Sequence, residues 1–404
     1  MKWEYNSRYP SIDDLRNKAK RKIPKFAFEY LDGGCNEDVN LYKNTAELRE
    51  VELLPYYLSK HKGSDLRTEL FGHVYDAPFG ICPIGLQGLI WPNSPEILAK
   101  AALKHNIPFI LSTVTTSSIE RISELTEGRA WYQLYHPAED SLRDDILKRL
   151  QAANYQVLAL LCDVPSFGFR PRDIRNGLAM PPRMTLKNIL QIMTRPEWAF
   201  KTLYHGTPNF ATLKPYMPKG LDMKQLGAFM NKTFSGRLNE EKIAPIRDKW
   251  KGKIVLKGAA TEEDTEMAIK LGLDGIIVSN HGGRQLDAGQ STIKSLEPIV
   301  KKYKGKIKIM MDSGIRTGPD IARTLASGAE FAFLGRSFMY SVAAMGNEGG
   351  NHIISILKTQ LQQVMEQICC ERVGDFCNHL FQSQDISRER LRKNLFPLST
   401  VQDA

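Results

Sequence analysis

The chain has 404 residues, of which 42% are hydrophobic and 25% are charged, and its formal net charge at pH 7 is +10. This composition argues against an intrinsically disordered chain and against a polytopic membrane protein, while the length suffices for one large α/β barrel or for two domains. The 55 Lys and Arg residues outnumber the 45 Asp and Glu residues, which favours anionic partners such as small acids, anionic lipids or nucleic acids.

The six cysteines match neither a disulfide framework nor a zinc site. The sequence contains no Cys-x-x-Cys pair, and three of the six cysteines lie near the C terminus. We therefore predict a reducing compartment and no metal site. The first residues are charged and amphipathic, which predicts no export signal. The sequence contains no run of about 18 apolar residues, so we predict no membrane-spanning helix.

The first predicted element is a single helix over residues 10–31. Apolar side chains recur there at the spacing of one helix face, and two glycines at 33–34 end the helix. The side chains on that face are Leu15, Ala19, Phe26 and Tyr30.

From residue 78 onward, short apolar segments alternate with amphipathic helical segments. This alternation of eight strands with helices predicts an α/β protein with a closed (β/α)8 TIM barrel, in preference to an open doubly wound sheet. In such a barrel, active-site residues lie at the C-terminal ends of the strands. The predicted strands are 78–82, 108–111, 130–134, 157–162, 253–256, 275–278, 306–311 and 330–334.

The residues that follow these strands are polar, ionisable or glycine. So many ionisable groups at one rim indicate an active site in preference to a solvated edge. Glycines and arginines after the last two strands also predict a phosphorylated ligand, whereas no Rossmann or Walker motif occurs. The ionisable residues at the rim are Tyr135, Asp163, Lys257, His281, Arg316 and Arg336.

The most informative motif directly follows the apolar strand at 275–278. It reads Ser-Asn-His-Gly-Gly-Arg-Gln-Leu-Asp over residues 279–287. His281 can accept a proton, and Arg284 can hold a carboxylate or a phosphate through its planar guanidinium. The alternative is a turn whose His and Arg are only solvated.

A long insertion at 172–250 separates the fourth and fifth barrel strands. It contains a predicted helix at 184–193, followed by aromatic residues interleaved with basic ones. This pattern fits a segment that lies on an anionic membrane surface, and it fits about equally well a segment that covers the active site or packs at an oligomer contact. The aromatic residues are Trp198, Phe200, Tyr204, Phe210 and Tyr216, and the basic ones are Arg195, Lys201, Lys214 and Lys219.

The segment from Asn351 onward has the apolar spacing of a helix that packs against the barrel. Residues 391–404 are predicted to form a solvated or partner-wrapping end.

Given these motifs, the chain resembles the FMN-dependent L-2-hydroxy-acid oxidase and dehydrogenase family over nearly its whole length. The resemblance implies one catalytic domain over residues 1–404. It is greatest to the membrane-associated mandelate and L-lactate dehydrogenases, because of residues 83–92 and the insertion around Arg195–Trp198. The other segments that carry the resemblance are 279–287, 28–34, 133–135, 163–165 with Arg170, 257–258, 312–316 and 335–336.

The resemblance implies a role for each site residue. His281 would be the base that removes a proton from the substrate, with Asp163 stabilising its imidazolium. Arg284 and Arg170 would hold the substrate carboxylate. Tyr30 would donate to that carboxylate and Tyr135 would lie at the substrate hydroxyl, while the small Val114 would widen the pocket for larger acids. The residues that would bind FMN are Ile84, Gly85, Ser112, Gln133, Lys257, Ser279, Asp312, Gly314, Arg316, Gly335 and Arg336.

The function implied is oxidation of an L-2-hydroxy acid to a 2-oxo acid, with electrons passing to a membrane quinone. The resemblance also implies a homotetramer at the cytoplasmic side of the inner membrane and no nucleic-acid partner. One alternative is a soluble oxidase that reduces oxygen to hydrogen peroxide. A second is a flavin-free barrel lyase or isomerase, in which His281 and Lys257 carry out proton transfer or imine chemistry. The least favoured is a catalytically inactive binding barrel, because many basic residues lie at strand ends instead of forming one stripe.

Overall fold

The computed structural model describes residues 5–179, 183–218, 229–230, 232–234 and 236–381. The predicted end at 391–404 therefore lies outside the described residues. The strands are β1 Thr68–Leu70, β2 His73–Tyr75, β3 Phe79–Ile81, β4 Ile110–Ser112, β5 Trp131–Leu134, β6 Val157–Leu161, β7 Lys253–Ala259, β8 Gly275–Val278, β9 Lys308–Met311 and β10 Phe331–Leu334.

Helices surround these strands, and most connect one strand to the next. They are α1 Ile12–Lys22, α2 Lys25–Asp32, α3 Val39–Arg49, α4 Gln87–Ile90, α5 Ser94–Lys104, α6 Ile119–Thr126, α7 Asp140–Ala152, α8 Pro171–Arg175, α9 Leu186–Met193, α10 Pro196–His205, α11 Glu240–Lys249, α12 Glu262–Lys270, α13 Thr292–Tyr303, α14 Gly318–Ala326, α15 Arg336–Met345 and α16 Gly349–Ile368. Short 3-10 helices lie at Lys214–Tyr216, Gly346–Glu348 and Val373–His379.

Eight parallel strands form one sheet in the order β3-β10-β9-β8-β7-β6-β5-β4. A parallel bridge between Ile81 and Phe109 joins its two edges, so the predicted (β/α)8 barrel is confirmed. All eight strands coincide with the predicted segments to within a few residues. The strands are buried on both faces, because alternate side chains point into the barrel and out toward the helices.

A second, antiparallel pair of strands closes the N-terminal end of the barrel. Strands β1 and β2 pair with each other, and Tyr75 packs edge-to-face on Phe331, the first residue of β10, with ring centroids 5.7 Å apart. The Trp131 indole donates a hydrogen bond to the Tyr75 hydroxyl at 3.3 Å. With this end filled by side chains, the opposite end is left to hold the site.

The helix predicted over 10–31 is in fact two helices, α1 and α2. Ile23 has extended backbone angles, and Pro24 precedes the first residue of α2. A residue before proline is sterically disfavoured from helical angles, and proline lacks the N–H that would continue the hydrogen-bond ladder. The apolar spacing was correct, but the proline decided where the helix breaks.

The segment between β6 and β7 holds helices α8 to α11. Helix α9 confirms the predicted helix at 184–193, beginning at a Thr185 cap. Trp198 is not a surface residue, since it is 4% exposed and its indole donates to the Ile90 carbonyl at 3.1 Å. Phe210 is also buried, so two of the aromatic residues in the pattern that suggested a membrane surface point inward. The exposed large apolar residues of α9 and α10 are Leu186, Ile189, Leu190, Met193, Phe200, Leu203 and Tyr204.

The predicted C-terminal helix is confirmed as α16, which packs against α14 and α15 on the outside of the barrel. Among the described residues, none of the helices has both the length and the apolar character to cross a bilayer.

Candidate active site

A cavity of about 450 Å³ opens at the C-terminal ends of the barrel strands. It lies at the end of the barrel where (β/α)8 enzymes carry their chemistry, and its volume is in the usual range for small-molecule sites. Most residues singled out in the sequence line this one cavity, although they come from distant parts of the chain. Those residues are Tyr30, Ile84, Gly85, Val114, Tyr135, Arg170, Lys257, His281, Arg284, Asp312, Arg316, Gly335 and Arg336.

His281 lies directly after β8 and is paired with a carboxylate. Its Nδ1 lies 3.1 Å from Asp163 Oδ1, so a proton on Nδ1 leaves Nε2 as the acceptor. Burial lowers the pKa of His281, and the Asp163 carboxylate opposes part of that shift. The imidazole is therefore neutral at physiological pH and able to accept a proton.

Two backbone features make this pairing possible. His281 has a left-handed backbone with φ of 58°, which turns its side chain toward β6 and β7. Gly258, at an irregular step of β7, has φ of 107°, and a Cβ built there would lie 2.7 Å from the Asp163 Cβ. Glycine at this position therefore lets Asp163 approach the strand end.

Two partly buried guanidinium groups, those of Arg170 and Arg284, face the same part of the cavity, with side chains 18% and 14% exposed. Arg284 Nη1 donates to the Tyr30 and Gly33 carbonyls at 2.7 and 2.8 Å, while its buried Nη2 has no hydrogen-bond partner among the described residues. Burial, together with the nearby Arg170, lowers the pKa of Arg284 to about 10. Arg284 therefore keeps one donor that is free to bind an anionic ligand.

Asp173 stands between these two arginines, and the sequence reasoning missed it. Its Oδ2 lies 3.8 Å from both Arg170 Nη1 and Arg284 Nη2, and burial raises its pKa against the opposing effect of Arg284. Because two guanidiniums share one carboxylate, the group has net positive charge and suits one further carboxylate. The acid three residues after Arg170, in the same helical turn, was the available signal.

Two tyrosines add neutral donors to this end of the cavity. Burial raises the pKa of both Tyr30 and Tyr135, so each keeps its hydroxyl proton. The Arg284 guanidinium lies 4.9 Å from the centroid of the Tyr30 ring, a cation–π contact that fixes both groups.

A buried ion pair lies on the other side of the cavity. Lys257 Nζ is 2.8 Å from Asp312 Oδ2 and donates to Ser279 Oγ at 3.0 Å. Burial opposes both charges, but the pairing outweighs it, raising the pKa of Lys257 and lowering that of Asp312. The pair therefore presents a permanent ammonium inside the barrel.

Arg316 and Arg336 form the third charged feature, after β9 and β10. Arg336 donates to three carbonyls, those of Leu31, Gly33 and Gly282, at 2.9–3.1 Å. Burial lowers the pKa of both groups, that of Arg336 to about 9 with Arg316 adding to the shift. Among the described residues neither has a carboxylate within 4 Å, which is the environment of a phosphate site.

Some predicted cofactor residues lie outside the lining of the cavity. Ser112 and Gln133 are buried at the ends of β4 and β5, and Gly314 packs against the backbone of Asn44. Their cofactor contacts stay a prediction. Conversely, the cavity includes side chains that the sequence reasoning did not assign to it, namely Cys82, Asp173, Phe210 and Met230.

These features define the class of protein: a (β/α)8-barrel enzyme in which one cavity combines an imidazole–carboxylate pair with three sets of largely buried cations. The profile of the FMN-dependent dehydrogenase family matches residues 19–383. The chain therefore belongs to this family, and the predicted membership, enzyme class and FMN cofactor are confirmed.

Curated relatives and solved structures agree with that family. The chain is 36% identical over 363 residues to an L-lactate dehydrogenase of Vibrio parahaemolyticus, covering 90% of this chain and 96% of the relative. It is also 36% identical over 368 residues to an L-lactate dehydrogenase of Ectopseudomonas mendocina, covering 91% and 97%.

Among solved structures, the monotopic membrane protein (S)-mandelate dehydrogenase superimposes with a TM-score of 0.87 and 31% identity, covering 93% of this chain and 99% of that chain. A mandelate oxidase superimposes with a TM-score of 0.78 and 28% identity, covering 91% and 97%.

The residues of the cavity fit FMN. Arg316 and Arg336, which have no carboxylate partner in the part of the chain that the structure describes, offer two cations to a phosphate, and Lys257 offers a third cation that is held deeper in the barrel. The separate, unbonded Nη2 of Arg284 leaves a donor for a second ligand. The cavity thus has distinct cationic positions for the cofactor and for an acidic substrate.

Proposed function

We propose that this enzyme oxidises an L-2-hydroxy acid to the corresponding 2-oxo acid and passes the electrons to a membrane quinone. Bound FMN supplies the two-electron acceptor for this chemistry. The observation that carries the proposal is the His281–Asp163 pair in the same cavity as Arg170 and Arg284. The names of the lactate and mandelate dehydrogenases among the similar proteins support the same reaction.

In this proposal, Arg170 and Arg284 bind the substrate carboxylate, which neutralises the positive charge they share with Asp173. The Tyr30 hydroxyl donates to the same carboxylate. His281 Nε2 accepts the proton, either from the α-carbon or from the hydroxyl group, and the carboxylate of Asp163 stabilises the resulting imidazolium. Tyr135 binds the substrate hydroxyl and orients it toward His281.

The cofactor residues divide by their position in the cavity. We propose that Arg316, Gly335, Arg336 and Gly314 bind the phosphate, and that Asp312 binds the ribityl chain. Lys257, held by Ser279, supplies positive charge at the pyrimidine edge of the flavin, where it favours the reduced form. The remaining predicted contacts to the ring come from Ile84, Gly85, Ser112 and Gln133.

The direct test of this function is anaerobic reduction of the bound flavin. L-2-hydroxy acids should bleach its absorbance, whereas the D enantiomers should not, because only one enantiomer places its hydrogen correctly while its carboxylate lies on the arginines. Turnover with a quinone analogue should then exceed oxygen uptake. Equal bleaching by both enantiomers would contradict the proposed arrangement, and faster turnover with oxygen would identify an oxidase.

The activity should depend on pH through His281. Because only the neutral imidazole accepts a proton, kcat/KM should rise with pH and then level off, with a midpoint below the ordinary histidine pKa of about 6.5. Burial is the cause of that low pKa. In Asp163→Asn the midpoint should move to still lower pH, and kcat should fall because the imidazolium loses its carboxylate. A midpoint that rises in Asp163→Asn would contradict this role.

We further propose that residues 172–250, an insertion in the single domain of residues 1–404, both cover the active site and dock on the cytoplasmic face of the inner membrane. Helices α9 and α10 expose seven large apolar side chains, and Lys187, Arg195 and Lys201 on or next to these helices can attract anionic lipid. Phe167 and Phe169 line the cavity and are themselves exposed, so the mouth of the site is apolar. A homotetramer is the assembly that we propose on family resemblance.

Removal of the apolar side chains of α10 should release the enzyme from membranes. The triple variant Phe200→Ser, Leu203→Ser, Tyr204→Ser should lower the partition coefficient onto anionic vesicles by at least about 100-fold, since each large side chain that leaves water contributes about 1.5 kcal/mol or more. Cosedimentation with vesicles measures this. Activity with a dye acceptor should persist.

The matched control is the triple variant Tyr42→Ser, Tyr57→Ser, Leu58→Ser, which removes equally exposed apolar side chains outside the insertion. This control should sediment with vesicles as the wild type does. Unchanged sedimentation of the α10 variant would refute docking through α10.

A further inference from the structure

We infer that the preferred substrate is a 2-hydroxy acid whose side chain is apolar and larger than the methyl group of lactate. The inference rests on the proposed function and specifies the side chain of its substrate. It follows from four apolar residues, Leu86, Val114, Phe210 and Met230, that line one part of the cavity and are here called the apolar lobe.

The apolar lobe is a packed structure and not a gap under a loop. Phe210 and Met230, both from the insertion, are 6% and 2% exposed. Together with Leu213 and Phe234 they form a separate hydrophobic cluster, against which Leu86, Val114 and Tyr135 pack. The walls of the lobe are therefore fixed by contacts outside the cavity, which gives the lobe a defined shape.

The lobe adjoins the position proposed for the reacting carbon. Tyr135 packs against the hydrophobic cluster of the lobe, with its ring 5.8 Å from that of Phe234, and also lines the cavity beside His281. A methyl group built on Gly85 would lie 2.8 Å from Val114 Cγ2 and 3.8 Å from the Tyr30 hydroxyl. A substrate held at its carboxylate end therefore directs its side chain toward Val114 and the lobe.

The chemistry of the lobe selects the kind of side chain. None of its four side chains offers a hydrogen-bond donor, and Met230 offers only a weak thioether acceptor, so a second carboxylate or a hydroxyl placed there would lose its water without gaining an adequate partner. An apolar side chain gains about four-fold in binding for each methylene group that it buries. The methyl group of lactate is too short to gain most of this increase in binding affinity.

The test compares kcat/KM of the holoenzyme for L-lactate, L-2-hydroxy-4-methylpentanoate, L-mandelate and L-malate with a dye acceptor. The branched acid, with three more carbon atoms than lactate, should exceed lactate by about 50-fold, and malate should be the poorest substrate. A kcat/KM for lactate equal to or above that of the branched acid would overturn the inference alone. Absence of flavin reduction by every acid would overturn the proposed function itself.

A second measurement tests the lobe without turnover. The unreactive products pyruvate and 4-methyl-2-oxopentanoate can be titrated against the flavin absorbance, and the branched acid should bind about 50-fold more tightly. In Val114→Phe, which fills the lobe, this preference should fall below about five-fold. Val74→Phe adds the same ring at an exposed position of β2 and should keep the preference. If both variants kept the same preference for the branched acid, the side chain of the substrate would have to bind outside the lobe.

Discussion

Replacement of His281 by alanine is expected to slow reduction of the bound flavin by about 10²- to 10⁴-fold, the usual contribution of a positioned general base. The structure gives the reason, since His281 is a largely enclosed imidazole of lowered pKa whose Nδ1 is engaged by Asp163 at 3.1 Å. Anaerobic stopped-flow spectroscopy at saturating substrate measures the rate. The spectrum of the bound flavin before mixing reports whether the site is intact.

Two further variants separate proton transfer from structural support. His281→Gln keeps an amide that can donate to Asp163 but cannot accept the proton, so it should lose as much rate as the alanine variant. His205→Ala removes an exposed histidine at the end of α10 and should reduce flavin at the wild-type rate. Rapid bleaching in His281→Gln would show that the proton acceptor is another group.

The second large effect is expected at the buried ion pair. In Lys257→Met, Asp312 keeps its charge without the ammonium 2.8 Å away, and loss of one partner from such a pair costs about 3–5 kcal/mol of folding free energy. Urea denaturation of the FMN-free proteins measures this loss. FMN affinity should fall as well, because the variant has lost a cation that faces the cofactor.

A double variant and a surface control make the test specific. Lys257→Met combined with Asp312→Asn should recover most of the lost stability, since neither buried charge remains, but should not recover FMN binding. Lys253→Met breaks an ion pair of the same 2.8 Å length with Asp274, where the lysine side chain is 49% exposed, and should cost about 0.5 kcal/mol or less. If the double variant lost as much folding free energy as the two single variants together, the unpaired buried charge would not be the cause of the instability.

The amino-acid composition of the insertion could not predict which of its apolar residues face the cavity and which face solvent. Its aromatic and basic residues left membrane docking and coverage of the active site about equally favoured, because both need apolar side chains. In the structure the apolar residues of the insertion divide into two groups: Phe210 and Met230 line the cavity, whereas Phe200 and Tyr204 are exposed. Trp198 belongs to neither group, since it packs against Phe26. Composition cannot predict this division, because the division depends on which face of each helix packs against the barrel.

Asp173 is a similar case on a smaller scale. The sequence places an acid three residues after Arg170, but its significance arises from Arg284, which is more than 100 residues away along the chain and 3.8 Å away in space. Long-range pairs of this kind follow from the closure of the barrel and not from local pattern.

The sequence by itself determined the eight strands, the barrel that they form and the strand ends at which the site lies. The physical reason is that short, continuous apolar runs and the amphipathic connecting helices are local properties, and a parallel sheet brings all its C-terminal ends to one rim. Only the tertiary structure decided which side chains meet across that rim, such as the position of Asp173 between two arginines and the inward turn of Phe210. These depend on packing between segments far apart in the chain, where the contacts made by each residue are set by the whole fold.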